Sequence, residues 1–160
     1  AGLTVVLVRK DLVERIPDDL PQYLDFRTWI DSGSMKNTPA TFAWYVAAEV
    51  IDWIEAGGGL EALGERNRAK ADGLYAAIDA SDFYTNPVVP EARSLMNVPF
   101  VMADDALTKT FVEQAEAAGM PGLKGHRAVG GLRASLYNAL GMDAVDDLLA
   151  FMQEFERTHG

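Results

Sequence analysis

Between Glu116 and Asp143 the sequence contains no acidic residue, yet it holds Lys124, His126, Arg127 and Arg133. Cations without acids nearby in sequence are free to meet an anionic ligand. The planar fork of arginine binds a carboxylate or a phosphate through two parallel hydrogen bonds. Gly122, Gly125, Gly130 and Gly131 interleave with these residues and allow backbone to approach a ligand closely. His126, beside Arg127, has no neighbouring Ser or Asp motif that would make it part of a nucleophilic triad, so contact with an anion is the better role for it. A second use of Arg127 and Arg133 stays open here, namely ion pairs with acids from elsewhere in the fold. Arg133 leans towards a ligand role. It falls inside a short alternating stretch next to Gly130-Gly131, an odd place for a bare surface cation.

A second acid-free window runs from Ser32 to Ala48. At its centre Asn37-Thr38-Pro39 stands where a helix begins. Free N–H groups and the helix dipole make such a place suited to phosphate, although a plain N-cap is the simpler use of these residues. Trp29, Trp44, Tyr45 and Trp53 offer rings for stacking, with packing the more ordinary use. Other chemistries are excluded by composition or motif. There is no cysteine, hence no thiol catalysis, disulfide or cysteine-bound zinc. The two histidines, His126 and His159, are too few for a histidine cage, and no metal site is expected; His159 reads as a solvated residue. Asp104-Asp105 and Asp146-Asp147 read as acids at helix starts. No Gly-x-Gly-x-x-Gly or P-loop pattern is present.

The elements that must hold these residues follow from periodicity. Leu3 to Val8 is a continuous apolar run of the kind found in a buried central strand. Arg9 to Ile16 predicts a short helix stopped by Pro17, then a polar connection to Asp31 and a loop to Thr38. Pro39 opens a helix capped by Asn37 or Thr38. Its apolar residues lie on more than one face, which predicts burial on more than one side. Gly57-Gly58-Gly59 ends it and marks the boundary between two lobes. A helix over about 60–79 has Leu60, Leu63, Ala71, Leu74 and Ile78 on its inner face. Phe83-Tyr84 and Leu95–Met102 predict strands, the second at a sheet edge because it contains Pro99. A helix closed by Gly119, a glycine-rich loop from Pro121 to Gly131, an alternating strand Leu132–Tyr137 and a helix capped by Asp143 complete the chain.

The 160 residues carry 14 Lys and Arg against 24 Asp and Glu, a formal charge of −10. That balance argues against nucleic acid and against an anionic membrane surface as partners. The longest apolar stretch, Thr41 to Ile54, is broken by Glu49 and Asp52, so no segment predicts a membrane span. Absence of cysteine fits a reducing, cytoplasmic setting. Ala1-Gly2-Leu3 leads straight into an apolar run with neither an initiator Met nor a basic leader. This reads as a strand entered partway through a larger protein.

Two segments carry a specific resemblance. Gly33-Ser34-Met35-Lys36-Asn37-Thr38-Pro39-Ala40-Thr41-Phe42-Ala43-Trp44-Tyr45 and Leu123-Lys124-Gly125-His126-Arg127-Ala128-Val129-Gly130-Gly131-Leu132-Arg133-Ala134-Ser135 both resemble the phosphoserine aminotransferase family. Arg93–Phe100, Tyr137-Asn138-Ala139 and Phe155–Gly160 support it, so the likeness covers essentially the whole chain. The resemblance implies an α/β fold-type-I enzyme dependent on pyridoxal phosphate. This chain would comprise the end of the large cofactor domain (residues 1–57) and the small α+β C-terminal domain (58–160).

It also implies a homodimer with its active sites at the subunit interface, acting on 3-phosphohydroxypyruvate and glutamate to give phosphoserine and 2-oxoglutarate. Serine biosynthesis and, in bacteria, pyridoxine biosynthesis would be its pathways. By the same resemblance Asn37 and Thr38 bind the cofactor phosphate, His126 and Arg127 the substrate phosphate, and Arg133 the substrate carboxylate. The family's Schiff-base lysine lies just before the segment matching Ala1–Thr4. Lys10, Lys36, Lys70, Lys109 and Lys124 do not match it, so the chain alone is not expected to transaminate. Two alternatives stand beside this: another fold-type-I aminotransferase, or a non-enzymatic anion-binding domain.

Overall fold

The computed structural model describes residues 2–128 and 130–160. It is mixed helix and sheet and divides into two compact units, one reaching Ala56 and one spanning Gly57–Gly160.

The first unit contains three α-helices, α1 (Lys10–Val13), α2 (Phe26–Asp31) and α3 (Thr41–Ala56), and a 3-10 turn at Gln22–Leu24. Where the sequence predicts only a connection, Asp25 caps α2 by accepting the Arg27 N–H at 2.9 Å. Arg27 then braces the segment by donating to Asp18 and to the Pro17 carbonyl. The predicted strand Leu3–Val8 does not form. A strand exists only as part of a pairing, and no strand occurs among the described residues of this unit. Leu7 is 94% exposed. The expectation for α3 is corrected in the same way. Its apolar stripes are present, but none of its residues is buried, because nothing in the unit covers them.

The second unit realises its pattern more fully. The glycine turn separates α3 from α4 (Gly59–Asp79), with Gly58 left-handed at φ 97°. An antiparallel sheet in the order β1-β2-β3 follows, from β1 (Tyr84–Thr85), β2 (Asn97–Met102) and β3 (Leu132–Ser135). Helix α5 (Leu107–Ala117) connects β2 to β3, and α6 (Met142–His159) closes the unit. Burial alternates along both long strands: Val98, Phe100, Met102, Leu132 and Ala134 face the core. Leu136 continues the buried row just beyond β3.

The three long helices supply the other side of that core. Phe111 of α5 is its hub. It is fully buried, with ring centroids 4.9 Å from Phe155, 5.0 Å from Phe151 and 5.9 Å from Phe100. Each such side chain contributes about 1.5–3 kcal/mol by leaving water.

Three expectations need correction here. Strand β2 is central, not at an edge. Its proline is tolerated because β1 pairs only with Val101 and Met102, and the Pro99 carbonyl beyond that pairing is taken by the Asn86 side chain. Leu60 is 78% exposed, since nothing in the unit covers the first turn of α4. His159 is half-buried, its ring stacked 4.1 Å from that of Phe155, so it joins the packing of α6. No described helix is long and apolar enough to cross a membrane.

Candidate functional site

The segment from Leu123 to Arg133 folds back on itself. The Arg133 N–H donates to the Leu123 carbonyl at 2.8 Å, and the Gly125 N–H to the Gly131 carbonyl at 2.9 Å. Across the tip, the Gly130 N–H donates to the His126 carbonyl at 2.8 Å. The Ala128 N–H donates to His126 Nδ1 at 3.2 Å, which leaves Nε2 to carry the proton of a neutral ring. The neck is too narrow for any side chain at position 125. A Cβ there would lie 2.1 Å from the Gly130 carbonyl oxygen and 2.6 Å from that of Gly131. Gly131 is left-handed at φ 63°, and a Cβ there would lie 2.8 Å from the Val101 side chain and 3.0 Å from the Phe100 carbonyl oxygen. Two of the glycines that the sequence marks as ligand-friendly, Gly125 and Gly131, are thus needed to close the loop itself.

This closure gathers His126, Arg127 and Arg133 on one hairpin. His126 and Arg127 are exposed near its tip and Arg133 is half-buried at its base. Arg133 points away from the core face of β3 and stands opposite Pro99 in the register. Ion pairs could have consumed these cations. Among the described residues they do not: none of Lys124, Arg127 or Arg133 has a carboxylate within ion-pair distance. Arg133 Nε is buried and lacks any hydrogen-bond partner. A buried donor left unmade costs about 1–3 kcal/mol, a cost that an incoming carboxylate or phosphate would remove.

Arg93 makes the contrast. It forms a two-pronged pair with Asp79 at 2.6 and 2.7 Å and lies 4.6 Å over the Tyr75 ring. Its guanidinium holds the Asp79 carboxyl below the usual range. Arg93 Nε also lacks a partner, so what sets Arg133 apart is that no carboxylate pairs with it among the described residues.

Asn37 and Thr38 lie in the other unit, exposed in the bend ahead of α3. The helix begins at Thr41, two residues later than expected, and the Trp44 N–H donates to the Ala40 carbonyl at 3.1 Å. Neither Asn37 nor Thr38 is therefore its cap. Proline drives the residue before it towards extended backbone, which keeps Thr38 outside the helix. The Asn37 amide donates to the Thr38 carbonyl at 3.3 Å. The chain reaches this bend through a sharp reversal at the end of α2, with Gly33 and Ser34 both left-handed and the Ser34 N–H donating to the Trp29 carbonyl. No acid occupies the first turn of α3, so its unpaired N–H groups face no competing carboxylate from that turn.

Sequence reasoning missed one feature. Lys70 of α4 is only 2% exposed. Its Nζ donates to the carbonyls of Tyr137 and Leu140, each at 2.9 Å, and of Leu136 at 3.3 Å. Burial pushes its pKa down, with a smaller contribution from Arg66. One turn earlier, the buried Asn67 amide donates to the Asn138 side-chain oxygen at 2.9 Å. A lysine and an asparagine one turn apart on an otherwise apolar stripe were the available signal.

Residues 1–148 match the family model of class-V aminotransferases (Aminotransferase class-V). The chain is 58% identical over its whole length to a phosphoserine aminotransferase of Pseudomonas aeruginosa, and 55% to one of Azotobacter vinelandii. In both cases it spans 44% of the relative's length. Among solved structures it resembles the phosphoserine aminotransferase of Bacillus circulans subsp. alkalophilus, with a TM-score of 0.89 and 46% identity. That match covers 96% of this chain and 43% of the other. A pyridoxal-phosphate-bound phosphoserine aminotransferase from Trichomonas vaginalis matches with a TM-score of 0.83 and 40% identity, over 91% of this chain and 42% of that one.

Proposed function

The chain belongs to the class-V aminotransferase family, and from that premise we propose that it is the carboxyl-terminal part of a phosphoserine aminotransferase. Residues 1–57 would end the large cofactor domain and 58–160 would form the small domain. The full-length enzyme would be a cytoplasmic homodimer that passes the amino group of glutamate to 3-phosphohydroxypyruvate, for serine and pyridoxine biosynthesis. The observation that carries this proposal is the pinned hairpin, which holds two arginines and a histidine with no carboxylate partner among the described residues.

Each residue then has a task. Arg133 takes the substrate carboxylate, which satisfies its buried Nε. Arg127 and His126 take the substrate phosphate, His126 donating through Nε2. Asn37 and Thr38 hold the phosphate of pyridoxal phosphate. Their fit rests on an exposed amide and hydroxyl before a first helical turn that contains no acid. When bound, the cofactor supplies an electron sink for loss of the substrate's α-proton. The hairpin orients the substrate for that step from its two anionic ends, a positioning role. None of the lysines in the chain takes the place of the cofactor-bearing lysine, so these 160 residues alone are inactive.

Arg127→Ala in the full-length enzyme tests the assignment. Losing a charge-assisted contact of about 1.5–3 kcal/mol should raise KM for phosphoserine about tenfold to hundredfold, with KM for glutamate unchanged. An unaltered phosphoserine KM would refute it.

A further inference from the structure

We infer that Lys70 is a positioning residue for Arg133, through its grip on the three carbonyls at the exit of β3. The inference rests on the role proposed above for Arg133 and extends it to a residue 63 positions away that touches no substrate in that scheme.

A buried ammonium is costly unless each of its protons finds an acceptor. Lys70 meets that demand without a counter-ion. Its three protons match three carbonyls, and no carboxylate pairs with it among the described residues. Packing alone does not call for such an arrangement. Position 70 lies on the stripe of Leu63, Ala71, Leu74 and Ile78, where a leucine or methionine would fill the space at less cost. The ammonium adds a tether between α4 and the chain as it leaves the sheet, where the Leu136 N–H makes the last cross-strand bond, to the Met96 carbonyl at 2.7 Å.

That stretch needs one. Strand β3 ends at Ser135 and α6 begins at Met142. Between them the chain reverses through a turn closed by the Leu140 N–H on the Tyr137 carbonyl at 3.0 Å. Of the three residues whose carbonyls Lys70 holds, Leu136 is buried, and a buried carbonyl must find its donors within the protein. Asn67 holds Asn138 in the same turn, so one face of α4 secures four of its residues. Arg133 is three residues upstream on the same strand. Its neighbours across the sheet are fixed by register and the other edge of β3 meets Leu123 and Lys124, but β3 is only four residues long. A strand so short is held as much by its ends as by its ladder. The neck of the hairpin fixes the near end of β3, and Lys70 joins the bond between the Leu136 N–H and the Met96 carbonyl at the far end.

The experiment uses the full-length enzyme, with Lys70→Met, Lys70→Gln and Lys70→Ala beside Arg133→Lys. Folding is followed by circular dichroism and thermal melting. Arg133 serves the carboxylate common to every substrate, so Lys70→Met should raise KM for glutamate and phosphoserine alike. A displacement on the order of 1 Å costs up to about a hundredfold in such a site, and we expect at least about tenfold in KM, with kcat within about threefold. Methylammonium should restore part of the lost KM in Lys70→Ala, because it can enter the vacated carbonyl cage.

A Lys70→Met protein that folds and keeps both KM values would overturn the inference. So would an effect on phosphoserine alone, which would point to the hairpin tip. If Lys70→Met does not fold, the same KM measurement on Lys70→Gln decides. If neither folds, Lys70 is purely structural and the inference fails. Arg133→Lys separates the two claims: an unchanged glutamate KM there refutes the role of Arg133 itself, whatever Lys70 does.

Discussion

Gly125→Ala is the sharpest single test of the hairpin. The substitution adds one methyl group in a segment where φ is not left-handed, so backbone strain plays no part. The effect comes entirely from contact: the new Cβ would lie 2.1 Å from one backbone oxygen and 2.6 Å from the next. Both belong to backbone, which cannot swing aside as a flexible side chain can. The Gly130–Gly131 segment must retreat by about 1 Å before the contact becomes tolerable. That retreat stretches the 2.9 Å bond between the Gly125 N–H and the Gly131 carbonyl beyond useful length.

Losing that bond costs about 1 kcal/mol, and residual overpacking about 1–3 kcal/mol more. The total, about 2–4 kcal/mol, divides between global stability and opening of the neck. Whatever share goes to opening displaces Arg133 from His126 and Arg127. Gly73→Ala is the matched control. It lies in α4, where an added methyl would find nothing within 4 Å, and there alanine should stabilise the helix by about 0.5–1 kcal/mol. Urea melts and steady-state kinetics on both variants of the full-length enzyme read the outcome. Gly125→Ala should lower stability, raise KM for phosphoserine, or both, while Gly73→Ala does neither. If Gly125→Ala matches the parent in both measurements, the narrow neck is not required and the geometric case for the site collapses.

Further expectations concern the frame. Phe111→Ala removes the hub of the aromatic cluster and should cost about 3–5 kcal/mol, read as a lower urea midpoint; a loss below about 1 kcal/mol would contradict the central placement of Phe111. Asp79, held below its usual pKa by Arg93, binds its proton less tightly folded than unfolded. The stability it contributes is therefore present above the unfolded value of about 3.9 and is lost as pH falls through the folded one. Its side chain is 49% exposed, so the effect is small. The gap in melting temperature between parent and Asp79→Asn should narrow from pH 7 to below pH 4, and a gap independent of pH would show that the Arg93 pair adds nothing.

What the sequence disclosed and what it hid separate along a physical line. Helix α4 was legible to within a residue because the glycine turn before it, Gly57-Gly58-Gly59, and its stripe are both local. The alternation of Leu132, Ala134 and Leu136 was legible for the same reason: a period of two names a buried face without naming the partner. Leu3–Val8 shows the limit of that rule, since an apolar run states that it could be buried in a sheet but cannot supply the sheet. Pro99 shows a subtler limit. Proline excludes a ladder bond on one side at one position, and β1 is short enough to stop before reaching it. The helix start at Thr41 was displaced because the turn before it follows the end of α2, which the sequence pattern did not reveal. Lys70 was hidden because its partners are backbone carbonyls 66 to 70 residues away, and carbonyls have no signature in sequence.

The cations of the hairpin were legible for a reason that the structure makes quantitative. Ion pairs in this chain are local. Arg9 and Arg27 find acids two residues away, Arg157 three, Lys109 four, and even Arg93 only fourteen. Ordering two long side chains is costly, and partners already held close by the chain lose less freedom on pairing. Among the described residues the cations that do pair, Arg9, Arg27, Arg93, Lys109 and Arg157, all take an acid from their own stretch of sequence. Between Glu116 and Asp143 no such local acid is on offer to Arg127 or Arg133. The same logic makes an added acid near them a stronger perturbation than its charge suggests. Ser135→Asp, two residues from Arg133 on the same face of β3, would place a carboxylate at the local separation this chain uses for pairing. Binding of carboxylate substrates should then weaken as it would if the arginine were removed, while phosphate contacts at the hairpin tip are spared. Unchanged glutamate KM in Ser135→Asp would mean that Arg133 is committed to something other than a carboxylate.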